Sequence, residues 1–217
     1  MLTVKTLKKS LSEKRSEIRK KLTGFRRVIK HADDAEIFEE LAFCIFTAGA
    51  SARMGLKSIA AVRPVIMSAR SEKQFSRLLK KNGAHRFPNE RARYLLHTRN
   101  YLRDTHGMEM RRLIMSFDDP DKRRAFFAET PDIKGIGFKE ASHFLRNIGL
   151  GGYAILDKHI MNCLFEMGVV DDPAPPARGK RYLEIEGALR RYAKCHGFDM
   201  DEMDLLLWSE KTGAILK

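Results

Sequence analysis

The stretch Ile133–Ile160, IKGIGFKEASHFLRNIGLGGYAILDKHI, carries the pattern on which fold and function turn. It sets Gly135 and Gly137 in one short turn, Lys139 directly behind them, and Asp157 ahead of a second apolar-periodic run. Ala141, Phe144, Leu145 and Ile148 recur at i, i+3, i+4 and i+7, which is one apolar stripe of a helix. Lys139, Ser142, His143 and Arg146 repeat that spacing on another side. The helix is therefore expected to pack by one face and to show a polar, basic face elsewhere, with Gly149 as its stop. Glycines at 135 and 137 let the chain turn sharply and bring bare N–H groups close to an outside group. A helix N-terminus right behind them makes a phosphate the natural candidate. An ordinary tight turn between two helices would use the same glycines.

Asp157 precedes KHIMNCLFEMG, where Ile160, Leu164 and Met167 are helically spaced, so it reads as an N-cap. That role and a chemical one are compatible. A carboxylate at a helix N-terminus has its ionised form favoured by the dipole and by N–H donors, and an anion there suits a developing positive charge. Lys139 reads either as a surface lysine or as a neutral amine nucleophile. Its helix N-terminus and the cations Lys134, Arg146 and Lys158 would lower its pKa, whereas Asp157 would raise it.

The charge of the whole chain fits an anionic partner. The 217 residues carry a formal net charge of +13, and a phosphate backbone is the usual partner of such a surface. Residues 1–31 hold eleven Lys/Arg against two Glu, and so supply most of that excess. Val4, Leu7, Leu11, Ile18, Leu22, Phe25 and Ile29 keep a helical stripe through the segment, which predicts a packed amphipathic helix with a basic outer face. The longest apolar run, LAFCIFTAGA at 41–50, is too short to span a bilayer. MLTVKTLKKS has no apolar region behind it of the kind a secretory signal needs. Cys44, Cys163 and Cys195 lie far apart, which fits reduced thiols in a cytoplasmic protein and rules out a four-cysteine zinc or iron–sulfur site within the chain. His159 and Cys163 stand at helical spacing, but a pair is half a metal site, and packing is the expected role.

The rest of the chain reads as helix throughout. Asp33 or Asp34 caps EIFEELAFCIF, with Gly49 at its end, and Ser51 starts the next helix. Ser71-Glu72-Lys73-Gln74 has the form of a capping box, and Asn89 is expected to cap NERARYLLHTRNYLRD. Asp119-Pro120 opens DKRRAFFAE, and two further helices fall near 180–196 and 200–210. DDPAPPARG at 171–179 is a proline-rich connector. No run alternates with period two, so the fold class is all-α.

The hairpin, the lysine and the aspartate together resemble the helix–hairpin–helix DNA glycosylases. GFKEASHFLRNIG and ILDKHI resemble more specifically the second, shorter type of 8-oxoguanine DNA glycosylase/AP lyase of archaea and some bacteria. ELAFCIFTAGASA, RFPNERARY and the tail DEMDLLLWSEKTGAILK extend the resemblance along most of the chain.

The resemblance implies two helical lobes, 32–153 ending in the helix–hairpin–helix element and 1–31 plus 154–217, with an active-site cleft between them. It places the catalytic lysine on Lys139 and the catalytic aspartate on Asp157. It assigns Lys134, Gly135 and Gly137 to DNA, and Trp208 and Lys217 to the damaged base. Core packing among Leu205, Leu206 and Leu207 is the other reading of Trp208, and a frayed end that of Lys217. Phe87, in His85-Arg86-Phe87-Pro88, is either a wedge at the gap left by a flipped base or a buried loop anchor. The lysine would attack C1′, the base would leave, and a Schiff base would lead to β-elimination. The implied partner is duplex DNA containing 8-oxoguanine, with the protein acting as a monomer away from membranes. No cofactor is required and an iron–sulfur cluster is excluded; a monovalent cation on hairpin carbonyls is a family feature that no side chain here tests. The rival expectations are a glycosylase for another oxidised base and a non-catalytic helix–hairpin–helix DNA-binding module.

Overall fold

The structure, a computed structural model, describes residues 2–177 and 179–215. Among them it holds eleven α-helices, two short 3-10 turns and no strand. Two compact units account for them: Val28–Phe144, and Met1–Arg27 with Leu145–Lys217. The dividing points fall inside helix α1 (Val4–His31) and helix α8 (Phe138–Asn147), whereas the sequence-based bounds lay at 31/32 and 153/154.

The unit Val28–Phe144 is built around α2 (Asp34–Thr47). Ile37, Phe38, Leu41, Ala42, Cys44, Ile45 and Phe46 are all fully buried, and from Leu41 to Thr47 the helix is buried on every side. It packs on α3 (Ala52–Val62), α5 (Pro88–His106) and α6 (Met110–Met115), while α4 (Glu72–Lys80) lies along α5. Local signals set the ends. Asp33, not Asp34, caps α2: its Oδ1 accepts from Glu36 N at 2.8 Å and Glu36 Oε2 accepts from Asp33 N at 2.9 Å, a full capping box. Ser51 Oγ accepts from Met54 N at 3.2 Å to start α3, and Asp119 starts α7 (Pro120–Glu129) by accepting from Asp121 N and Lys122 N. The expected Asn89 cap is wrong by two residues. Pro88 takes the first helical position, where its missing N–H costs nothing, so Phe87 is the cap residue. The Asn89 Oδ1 instead accepts from Ser76 Oγ of α4 at 2.6 Å.

In the other unit, α1 buries Leu7, Leu11, Ile18, Leu22 and Phe25, as its stripe predicts. Its cations also bind α11 (Met200–Thr212): Arg15 and Arg19 reach the buried Glu202 at 3.0 and 2.6 Å, and Lys14 reaches Glu210 at 2.6 Å. α9 (Lys158–Glu166) and α10 (Gly179–His196) both pack on α11. His159 is exposed, while Cys163 is fully buried, with its thiol pushed up to about 12 by burial; it donates to Leu207 O at 3.5 Å. Packing, the expected role of the pair, thus holds for Cys163 and not for His159.

The polar side of α8 does not face solvent as expected. Ser142 is fully buried; its Oγ donates to Phe138 O at 2.8 Å and accepts from the buried Arg124 of α7 at 3.3 Å. Arg146 is 5% exposed and reaches Asp204 of α11 at 3.2 Å. Periodicity separates polar from apolar positions, but a polar stripe that meets buried partners looks the same in sequence as one that meets water. Two residues beyond the end of α8 stands Gly149, whose φ of +95° is poorly accessible to other residues. A Cβ there would lie 2.4 Å from Arg26 Cα and 2.7 Å from Phe25 O, so α1 passes against bare backbone. Gly149→Ala is accordingly expected to lower unfolding stability by about 2–4 kcal/mol, from backbone strain and overpacking together. Denaturant unfolding of the two proteins measures it.

Candidate active site

The Ile133–Gly137 turn is pinned from within. Ile133 and Ile136 are buried, and Lys134 N donates to Thr98 Oγ1 of α5 at 2.9 Å. Gly135 has φ +75°, and a Cβ there would stand 2.7 Å from Tyr94 Cδ2 and 3.2 Å from Arg91 Nη1. Any side chain would displace that ring, so glycine is required for conformation and for space. The Gly137 N–H points at the first turn of α8, where Glu140 Oε2 accepts from it at 3.3 Å. The other oxygen of the same carboxylate, Oε1, lies 2.8 Å from Lys139 Nζ. Lys139 is about one-third exposed, and its close ionic partner is Glu140. The cation expected on Arg146 is engaged with Asp204 instead.

The loop before α5 belongs to the same unit. His85 is buried; its Nδ1 accepts from Phe87 N at 2.9 Å, so the ring proton sits on Nε2 and is donated to Phe46 O, also at 2.9 Å. Burial, with Arg91 and Arg86 adding to it, moves this histidine below its ordinary range and keeps it neutral. Arg86 and Arg91 donate to the carbonyls of Gly49 and Ala48. Phe87 is 45% exposed, with the Arg86 guanidinium 4.7 Å from its ring centre. The buried-anchor reading of Phe87 is therefore wrong: the buried anchor of this loop is His85.

Asp157 is placed by an unusual preceding segment. Residues 152–157 run outside any helix and are mostly buried, with no strand beside them to take their amides. Side chains of α10 and α11 take four of them instead, and Asp157 N donates to Ile155 O at 2.7 Å. Gly152 N donates to Asp201 Oδ1 at 2.7 Å, Ala154 N to Glu186 Oε1 at 2.7 Å, Ile155 N to Asp204 Oδ1 at 2.9 Å and Leu156 N to the Tyr182 hydroxyl at 3.1 Å. That hydroxyl in turn donates to Ala154 O at 2.6 Å. Asp157 then caps α9: Oδ1 accepts from Ile160 N at 2.9 Å, and Oδ2 accepts from the indole Nε1 of Trp208 at 3.2 Å. Trp208 is half-buried beside the fully buried Leu206 and Leu207, so simple core packing does not describe it.

Sequence reasoning missed Glu140, Asp201, Asp204, Tyr182 and Glu186. Glu140 had a local signal, since a glutamate three residues after a helix cap is half of a capping box. The others had none, because their partners are 26 to 49 residues away in the chain. Lys217 lies outside the described residues. No group of three or more His, Cys, Asp or Glu able to hold a metal ion occurs among the described residues. A monovalent cation at the hairpin would meet backbone oxygens, of which that of Gly137 already accepts from Ala141 N at 2.9 Å.

The chain is similar to known proteins along nearly its whole length. The family model described as 8-oxoguanine DNA glycosylase matches residues 18–198. The 8-oxoguanine DNA glycosylase/AP lyase of Korarchaeum cryptofilum is 34% identical over 206 residues, covering 95% of this chain and 93% of its own. That of Methanocaldococcus jannaschii is 34% identical over 215 residues, covering 97% and 99%. Among solved structures, the M. jannaschii 8-oxoguanine glycosylase/lyase in complex with a 15mer DNA containing 8-oxoguanine superimposes with a TM-score of 0.88 at 32% identity, covering 100% of both chains. The Thermotoga maritima 8-oxoguanine DNA glycosylase gives 0.86 at 31% identity, over 99% of this chain and 98% of its own.

Burial raises the carboxyl of Asp204 from 3.8 to about 6 against the opposing pull of Arg146 and Ile155 N–H, with Asp157 and Asp201 pushing the same way as burial. The folded protein thus holds a proton between about pH 4 and 6 that the unfolded chain releases. That contribution to stability is full below the unfolded value and is lost as pH rises through about 6. Asp204→Asn removes it. The stability of the wild type relative to the variant should therefore increase by about 2–3 kcal/mol as pH falls from about 7 to about 4. Parallel unfolding titrations across that range read the difference.

Proposed function

The chain belongs to the 8-oxoguanine DNA glycosylase family, and from that membership we infer that Lys139 is the nucleophile and Asp157 the carboxylate that supports departure of the base. The protein is a bifunctional DNA glycosylase/AP lyase of base excision repair, which removes 8-oxoguanine from DNA and nicks the strand. The damaged nucleotide must leave the duplex stack to be reached. The Lys139 amine attacks C1′, and the bond from C1′ to the base breaks with its electron pair leaving on the base. The sugar ring then opens to an imine, and an amine is the nucleophile that allows this step. β-Elimination from the imine cuts the strand on the 3′ side. Positive charge develops on the sugar as the base departs, and a fixed anion beside it lowers that barrier.

The observation that carries the assignment is the double anchoring of Asp157. One oxygen is held by Ile160 N–H and the other by the Trp208 indole, so the carboxylate cannot swing away as charge builds. We assign Trp208 and Lys217 to the base. 8-Oxoguanine carries a proton on N7, where guanine offers an acceptor, so selectivity requires an acceptor facing that position. Lys134, Gly135 and Gly137 are assigned to the phosphate backbone as the turn that approaches it, with the Lys134 and Gly137 amides already donating to Thr98 and Glu140, and the exposed Phe87 is assigned to the gap in the stack. We place the enzyme in the cytoplasm as a monomer working on the nucleoid. The free thiols of Cys44, Cys163 and Cys195 support a reducing compartment, and no helix of the described residues is long and apolar enough to cross a membrane.

Borohydride trapping on a duplex with one 8-oxoguanine tests the roles. Wild type and Lys134→Gln should give a covalent protein–DNA band that Lys139→Gln loses. A band persisting in Lys139→Gln would move the nucleophile elsewhere. Asp157→Asn should slow single-turnover base release about 100- to 1000-fold.

A further inference from the structure

Neighbouring residues on a helix point about 100° apart and do not normally face each other. Lys139 and Glu140 nevertheless meet at 2.8 Å between Nζ and Oε1. Long side chains in a first turn lean toward the helix N-terminus, and both lean toward the Gly137 turn. There the second oxygen of Glu140 accepts from Gly137 N–H at 3.3 Å, which leaves Oε1 for the amine. The Glu140 side chain is 14% exposed and that of Lys139 32%, so the carboxylate is the more sheltered of the two. A nucleophile within hydrogen-bond reach of a base, and that base oriented by a third group, is the arrangement that activates nucleophiles in general.

We propose that Glu140 is a catalytic residue of this enzyme, the group that takes the proton from the Lys139 ammonium and so makes the amine nucleophilic. The proposal rests on Lys139 being the nucleophile. A capping role explains the bond to Gly137, but a cap does not need the contact with Nζ, and a glutamine would cap as well. In the free protein the pair is an ion pair open to water. Once DNA covers it, loss of hydration disfavours both charges and favours neutral amine with neutral acid. The Nζ–H bond breaks and the proton passes to Oε1. The freed lone pair of Nζ forms the bond to C1′. The bond from C1′ to the base breaks, and its electron pair leaves with the base, which takes up the proton held on Glu140.

Glu140→Gln is the test, because it keeps an acceptor for Gly137 N–H and removes only the basicity. Its melting temperature and its affinity for duplex containing a tetrahydrofuran abasic analogue should match the wild type. Its single-turnover release of 8-oxoguanine at about pH 7 should fall about 100-fold or more. That rate should then climb with rising pH more steeply than the wild-type rate, because hydroxide in place of Glu140 has to remove the proton. Glu140→Asp, which keeps the basicity at shorter reach, should restore the wild-type pH profile at a reduced rate. A Glu140→Gln protein with the wild-type rate and profile would overturn the proposal and leave Glu140 as a cap. Lys139→Gln trapped in parallel separates the two failures. If its band is lost while Glu140→Gln behaves as wild type, only the role of Glu140 falls; if its band persists, the assignment of Lys139 fails as well.

Discussion

An extended stretch of chain buried among helices has amides that no neighbouring strand will accept, and an unpaired buried N–H costs as much as a lost hydrogen bond. Residues 152–156 meet much of this constraint through side chains: Asp201, Glu186, Asp204 and Tyr182 each take one N–H. The solution has a structural consequence. Asp157 directly follows these residues, so its position is set by groups on α10 and α11 and not by its own helix alone. Helix α11 serves as the hub. From it Glu202 holds α1, Asp204 holds both Ile155 and Arg146, and Trp208 holds Asp157 itself.

These charges differ in weight. Pairs such as Arg103–Asp104 are well exposed on both sides and contribute little, because water competes for each partner. Arg146 and Asp204 are both nearly sealed from solvent. Such a pair is a poor source of net stability, but loss of one member leaves the other buried and uncompensated, so the two specify one geometry. Arg146 stands two turns along α8 from Lys139, and Asp204 also grips the segment that ends at Asp157. One buried carboxylate therefore steadies both the end of α8 and the segment that leads to Asp157.

How far this could be read from the sequence depended on the distance between partners. Helix ends were legible because their chemistry is local: Asp33 with Glu36, Ser51 with Met54, and Asp119 ahead of Pro120. The glycine turn, Lys139 and Asp157 stood out for the same reason, since they lie within one short stretch. Asn89 misled because a good capping residue stood next to a proline that claims the first helical position. The buried polar side of α8 could not be told from a solvated one, since Ser142 finds Arg124 from 18 positions back and Arg146 finds Asp204 from 58 ahead. The scaffold of Asp157 was invisible for that reason. Asp204, Glu186 and Tyr182 look like surface residues of amphipathic helices until the chain segment they serve is in place.

The thiols bear on the conditions under which such an enzyme works. Oxidation of cysteine proceeds through the thiolate and requires access. Cys44 and Cys163 are sealed in the core, and a thiol shifted to about 12 is essentially never ionised at neutral pH. Only Cys195, in the last turn of α10, is exposed. The oxidants that turn guanine into this enzyme's substrate thus meet a protein whose two core cysteines are chemically inert, and the first rungs of thiol damage fall on a helix end far in sequence from Lys139 and Asp157.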